Sequence, residues 1–367
     1  MTEQELRTMY GDDLTDKVPS PFVVHDWRND VVTIGQVPAH MVAAATHNQI
    51  VDQTWPAQLN NLVWNHRREL YKTNLPLVLS VGQVVPHEVM GMANYNKNIF
   101  VGTGGVEAIN LSHFIGAVHG MERMMGKAQN PLRDILNYAS QHFLEEQLDV
   151  WYILSVIGPS TDPTERRLAM RGLYIGHNID CYTQACELSL KVNFTLLDKP
   201  IEKCVVFLDE HEFHSTWLGN KAIYRTRMAM ADGGTLVILA PGVERFGEDD
   251  RIDKLIRQYG YKGTPTILQH LSASPELRDN LSAVAHLMHG STEGRFQVIY
   301  CPGHLKKDEI EKVGFLYGNL KSMMEVYPPA TLKDGWNTHA DTKEEFFYIS
   351  NPALGLWAVP SRFETKE

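Results

Sequence analysis

Short β-branched and aromatic runs bounded by Gly, Pro and Asp recur along the chain. They lie at 21–26 (PFVVHD), 77–82 (LVLSVG), 98–105 (NIFVGTGG), 150–158 (VWYILSVIG), 204–209 (CVVFLD), 235–242 (TLVILAPG) and 296–303 (FQVIYCPG). Runs of this length, apolar on both sides of the pleat and closed by turn residues, predict buried strands. The stretches 106–126, 130–147, 163–191, 219–231, 249–259, 275–289 and 306–323 instead carry the 3.6-residue apolar period of helices. Strand alternating with helix predicts an α/β protein whose mainly parallel sheets are flanked by helices. The segment LLDKPIEK at 196–203 brings Pro and charge after a long helical stretch. It predicts two α/β domains, 1–200 and 201–367, with the active site in the cleft between them. Ligands of open α/β sheets gather at the carboxyl ends of strands, which singles out His25 and Asp26, the segment 82–113, and Glu210 to Lys221.

The apolar runs TLVILAP and CVVFL fall far short of the roughly 18 residues of a membrane span. The 367 residues carry 34 Lys and Arg against 44 Asp and Glu, a net charge of −10. No basic footprint of the kind that nucleic acid or an anionic membrane requires is visible, so a small molecule is the expected partner. Cys181, Cys186, Cys204 and Cys301 form no CxxC pair, and MTEQELRTMYGDD does not read as a secretory leader. A cytoplasmic protein with reduced thiols is expected.

The segment 82–113 is the densest in chemistry: it leaves a strand and holds His87, Lys97, a GTGG turn at 102–105 and His113. Gly102, Gly104 and Gly105 precede an expected helix start near Val106, where free N–H groups and the positive helix end can hold an anion. No Gly-Lys-Ser/Thr follows, and the full GxGxxG is missing, which argues against a nucleotide-triphosphate loop and a nicotinamide dehydrogenase. Taken singly, His87 and His113 read as structural more readily than as acid–base groups or metal ligands. Lys97 is either a solvated charge or a covalent, cofactor-anchoring amine. His211 and His214 in DEHEFHS, like His286 and His289 in AHLMHGS, stand three residues apart, a spacing that on a helix shares one face. With Glu212, the first pair leaves a zinc hydrolase as a weak alternative, since HEFH is not HExxH. The second pair reads as polar packing at a helix end before Gly290. Lys221, Arg225 and Arg227 can reach a carboxylate or simply be solvated. ERFGEDD at 244–250 reads as a solvated helix start, and Trp336 and Trp357 read as packing aromatics.

The histidine after Pro in PHEV, the lysine ten residues on in NYNKN and the histidine sixteen further in NLSH resemble the lactate racemase family. The likeness is to its sugar-acid, mannonate-epimerase-like branch. It extends to TEQELRTMYGDDL, VVHDWRNDVVTIGQVP and GNKAIYRTRMAMADGGTLVILAPG, and so to most of the chain. It implies a racemase or epimerase that inverts C2 of a 2-hydroxy acid by reversible hydride transfer to a covalently held nickel-pincer nucleotide. His87 would be catalytic, Lys97 the cofactor anchor, His113 the nickel ligand and Lys221 a substrate contact, with Trp217 near a family aromatic. Leu218 stands where a glutamine is expected, and NYNK replaces a Gly-Gly-Arg-Lys run, which points to a substrate other than lactate. The family also carries, upstream of TEQEL, a strand-rich segment with a second acid–base histidine. It is missing here, so the resemblance implies a truncated product, a contribution from another polypeptide, or an inactive sugar-acid binding paralogue.

Overall fold

The computed structural model describes residues 3–12, 22–70, 77–161, 168–353 and 355–363. The runs rich in Val, Ile and Leu in the second half fold as expected into one sheet. Its strands are β9 (Ile201–Phe207), β10 (Met230–Ala240), β11 (Gln297–Pro302), β12 (Leu316–Tyr317), β13 (Gly335–Thr338) and β14 (Glu345–Ile349), in the order β12-β11-β10-β9-β14-β13. All neighbours are parallel except the edge strand β13. Alternation along the strands sends Cys204, Val206, Leu236, Ile238, Val298 and Tyr300 to one face. There they pack with Leu255, Ile256, Ile267, Ala283, Val284 and Leu287 from the helices Asp250–Tyr259, Thr264–Ala273 and Leu281–His289. Val205, Val237, Leu239, Phe346 and Tyr348 face the other way, against Leu320 and Met323 of the helix Leu320–Val326. The acidic run at 244–250 starts a helix as expected, with the Asp249 carboxylate accepting the N–H of Ile252.

The first half is built on smaller sheets. β3 (Leu77–Gln83) runs parallel to β6 (Asp149–Pro159), which pairs antiparallel with β7 (Leu168–Gly176). β1 (Val31–Val37) and β2 (Trp55–Asn60) form one antiparallel pair, and the two-residue strands β4 (Pro86–His87) and β5 (Gly91–Met92) form another. A second core, including Trp55, Phe100, Ile115, Leu136, Tyr152 and Tyr182, fills the space between them and the helices. The other face of β3-β6-β7 leaves Leu77, Leu79, Val81, Met170, Leu173 and Ile175 exposed. Near the C-terminus β15 (Leu356–Ala358) pairs with β8 (Phe194–Leu196). No described helix is long and apolar enough to cross a membrane.

Three expectations are corrected. NIFVG is not a strand but a π-helical turn, Asn98–Gly102. Ile99, Phe100 and Val101 are all buried, so the run shows no alternation that would separate helix from strand. Within the expected helix 163–191, residues 168–176 form β7 and the helix is Ile179–Asn193, capped by the Asn178 side chain on Asp180 N–H; residues 162–167 lie outside the described set. The apolar residues of β7 lie on both faces, which mimics a helical stripe. Residues 22–26, expected as a strand, carry no regular element; residue 21 lies outside the described set.

Candidate active site

His87 ends β4, and the turn into β5 folds back over its ring. The N–H groups of Val89 and Met90 donate to His87 Nδ1 at 3.1 and 3.3 Å, so the neutral ring carries its proton on Nε2. Gly91 makes the turn possible: its φ is +74°, and a Cβ there would lie 1.9 Å from the Lys127 carbonyl oxygen. The turn then rests on the helix Val106–His119 at Gly116, where a Cβ would come within 2.9 Å of Val89. His113, on that helix one turn before Gly116, is thereby brought towards His87. His113 Nδ1 donates to the Ile109 carbonyl at 2.7 Å, which leaves the Nε2 lone pair free.

Lys97 follows β5 through two successive residues in the left-handed region, Asn94 (φ 73°) and Tyr95 (φ 61°). Both residues adopt a conformation that favours glycine. Local contacts hold it. The Asn94 side-chain oxygen accepts from Tyr95 N–H and Asn98 Nδ2, both at 2.8 Å, and the Tyr95 ring stacks on Tyr182. Arg133, buried beneath, donates to the carbonyls of Met92 (2.7 Å) and Asn94 (3.3 Å), to Asn96 Oδ1 (2.5 Å) and to the Tyr182 hydroxyl (2.8 Å).

From the second half, Lys221 opens the short helix Lys221–Tyr224 with its ammonium 5.9 Å from the Phe213 ring. The helix Leu281–His289 packs on Val106–His119, where Ser282 Oγ donates to Asn110 Oδ1 at 2.7 Å. Arg227 donates to the carbonyls of Met288, His289 and Ser291 and so fixes the end of that helix. His286 Nε2 meets the Tyr261 hydroxyl at 2.9 Å, and Trp217 covers the His286 ring at 4.4 Å. The Nε2 of His289 is buried without a partner.

Glu88 lies at the electrostatic centre. Its Oε2 stands 3.9 Å from His87 Nδ1, and it acts on Lys97, His113, Lys221, Arg225 and His289. Burial pushes the Glu88 carboxyl up, but His87, Arg225, its own N–H and His289 outweigh that and hold it well below the usual carboxylate range. Burial pushes His87 down to about 3 against the opposing pull of Glu88. It also lowers Lys97, His113 and, with help from Arg225, Lys221. His87, Lys97, His113 and Lys221 are thus all half-buried and linked electrostatically through Glu88, with both lysines lowered from the ordinary amine range by burial. Sequence reasoning did not single out Glu88; His286 and His289, read as polar packing at a helix end, are both buried in the last turn of Leu281–His289.

The glycine turn is shaped by close approach. A Cβ on Gly104 would strike the Phe100 carbonyl oxygen at 1.9 Å, and one on Gly105 the Gln58 side chain at 2.4 Å; one on Gly102 would make only ordinary contact, 3.8 Å from Asn98 Cβ. The N–H groups of Val106 and Ala108 already donate to the Trp27 carbonyl and Gln58 Oε1, so two of the donors expected to face an anion serve the fold. His211 and His214 sit in a turn and not on a helix face, and Glu212 accepts from Asn351. Among the described residues no group of three or more His, Cys, Asp or Glu could hold a metal ion. A groove of about 450 Å³ lined by Arg68, Tyr95, Asn137, Glu145 and His177 contains none of the site residues.

No protein-family model matches the sequence, and neither does any curated protein. Solved structures do. A crystal structure of a structural-genomics target protein from Thermotoga maritima superposes with a TM-score of 0.76 at 22% identity, over 98% of this chain and 83% of the other. The match defines a mixed α/β fold with parallel-containing sheets flanked by helices. More particularly, the fold is lactate racemase-like: the lactate racemase apoprotein from Thermoanaerobacterium thermosaccharolyticum matches with a TM-score of 0.66 at 16% identity, over 97% of this chain and 75% of the other.

Proposed function

We propose that the chain acts as a racemase or epimerase at C2 of a 2-hydroxy acid, of the sugar-acid kind, with a nickel-pincer nucleotide as cofactor. The observation that carries the reading is the convergence of His87, Lys97, His113 and Lys221 around the carboxylate of Glu88. The donor set fits the cofactor. A pincer ligand brings most of the metal's donors with it, so the protein needs to add one neutral imidazole nitrogen, and His113 offers Nε2 with Nδ1 tied to the Ile109 carbonyl. Lys97, whose pKa burial lowers, offers the amine that a covalent anchor requires. When bound, the cofactor supplies the hydride-accepting carbon, so that no carbanion need form beside the carboxylate.

The chain's own residues do the rest. Lys221 and Arg225 neutralise the substrate carboxylate and fix its orientation. His87 would direct Nε2–H at the oxygen on C2 and polarise it in the keto state, which favours hydride return, while the hydroxyl proton released as hydride leaves and regained as it returns is exchanged with solvent. The semi-buried setting strengthens both interactions by excluding water. The test is a C2-deuterated sugar acid incubated with protein made in cells that synthesise the cofactor. The proposal expects the C2 epimer to form with deuterium kept at C2. Deuterium lost to solvent would indicate proton abstraction, and no epimer would end the racemase reading.

A further inference from the structure

We infer that the outer face of the sheet β3-β6-β7 is the contact surface of a homodimer, in which each copy lays this face on the same face of the other. The strands turn alternate residues to opposite sides of the sheet. The inner side sends Val150, Tyr152, Leu154 and Val156 into the core. On the outer side β3 sets Leu77, Leu79 and Val81, and β6 sets Trp151, Ile153 and Ile157. β7 adds Leu168 and Met170, passes a bulge at Arg171 and continues the same side with Leu173 and Ile175. Without that extra residue, Gly172 and Tyr174 would fall on the outer side, so the irregularity keeps the face apolar. The register aligns these side chains in rows. Leu79 stands opposite Trp151, Ile157 stands opposite Met170, and Val81, Ile153 and Ile175 form one row across all three strands.

A sheet face left to solvent ordinarily carries polar residues at these positions. Here Asp149, at the start of β6, is the one charged residue among the described outer positions, and Ser155 interrupts an otherwise apolar middle. The area matches what a stable dimer needs. Eight of these apolar residues are exposed, from 37% at Trp151 to 67% at Val81. Together they present about 800 Å², above the roughly 300–600 Å² of a monomer's largest apolar patch and close to the share each partner gives a standard interface. Charge selects the partner. Two chains of net charge −10 repel one another over most of their surface and approach most readily where charge is absent. A strongly charged partner finds no complementary charge at these positions, whereas an identical face offers equal area, the same lack of charge and the same twist. Two sheets of like twist pack aligned with their side chains interdigitating, and a twofold axis closes the pair with neither face left open. Pairing covers the side of the sheet opposite the Lys97 turn, which rests on the inner side through Asn98 Nδ2 to Ser80 Oγ at 3.4 Å and through Tyr95 on Tyr152, ring centroids 4.4 Å apart.

The experiment is sedimentation equilibrium of the full chain over about 1–50 μM, a range that captures the association expected of an interface of this size. The inference expects twice the monomer mass at the upper end. Val81→Lys and Met170→Lys each place an ammonium within the contact, at positions exposed in the single chain. Each should raise the dissociation constant about a hundredfold or more, with circular dichroism and melting of the monomer unchanged. Val81→Thr and Met170→Gln, which keep the size without a charge, should weaken the dimer about tenfold and melt normally, which separates loss of contact from misfolding. Val326→Lys, at an exposed apolar position that ends the helix Leu320–Val326, should leave the dimer intact. A wild-type chain that stays monomeric at about 50 μM overturns the inference and leaves the face to another polypeptide. A dimer that persists unchanged in both lysine variants, or that Val326→Lys disrupts equally, uses a different surface and overturns it as well.

Discussion

His286 offers a stability test whose sign changes with pH. The ring is buried, lies tilted against Trp217 with ring centroids 4.4 Å apart, and bonds through Nε2 to the Tyr261 hydroxyl at 2.9 Å. Burial, with His289 adding to it, pushes its pKa down to about 3 from an ordinary value of 6.5. Between those two values the unfolded chain binds a proton that the folded chain refuses, so stability falls as the pH drops through this window. At pH 5 the unfolded side chain is about 1.5 pH units below its pKa, which at about 1.4 kcal/mol per unit makes the histidine cost about 2 kcal/mol relative to pH 7. His286→Phe keeps an aromatic ring on Trp217 and removes the titration. Tyr261 keeps its contact with Thr216 Oγ1 at 2.9 Å, so only one neutral hydrogen bond is lost, about 1 kcal/mol. The variant should be about 1 kcal/mol less stable than the wild type at pH 7 and about 1 kcal/mol more stable at pH 5. Paired urea titrations at the two pH values, followed by tryptophan fluorescence, read this as a crossing of midpoints, and pH effects common to both proteins cancel. The same stability difference at pH 7 and pH 5 would refute the reasoning.

Two further substitutions test the local architecture. Arg133→Met removes four hydrogen bonds from beneath the Asn94–Tyr95 turn and leaves the Asn94 carbonyl and Asn96 Oδ1 without that donor, while the Met92 carbonyl keeps the Tyr182 hydroxyl. It should cost about 3–5 kcal/mol, measured by chemical denaturation, and a cost below about 1 kcal/mol would show that the turn holds itself. Gly91→Ala places a Cβ 1.9 Å from the Lys127 carbonyl oxygen at a φ of +74°. It should destabilise by more than about 2 kcal/mol in the same assay, and a neutral result would contradict the close approach at the His87 turn.

The parallel sheet of the second half is legible in the sequence because its strands are buried on both faces and read as continuous apolar runs, CVVFL and TLVILA being the clearest. The same property misleads at Asn98–Gly102, where a buried π-helical turn and a buried strand leave the same apolar signature. β7 is hidden for the opposite reason: Leu168, Met170, Leu173 and Ile175 are exposed, so apolar residues stand on its outer face too and no polar alternation marks it. In the site, the spacing of His87, Lys97 and His113 is visible along the chain because all three lie within 27 residues. Glu88 is not, since its meaning depends on Lys221, Arg225 and His289, which approach only after the helix Leu281–His289 packs on Val106–His119. Nor does the sequence reveal that Arg133, 36 residues after Lys97, supports the turn that presents that lysine.

The central claim, that Lys97 and His113 hold a nickel-bearing nucleotide, is tested most directly by intact-mass and peptide mapping of protein purified from cells that make the cofactor, with nickel quantified on the same sample. The account predicts a covalent adduct localised to Lys97, close to one nickel per chain, and loss of the metal with retention of the adduct in His113→Ala. Unmodified Lys97 with no bound nickel in the wild-type protein would contradict it.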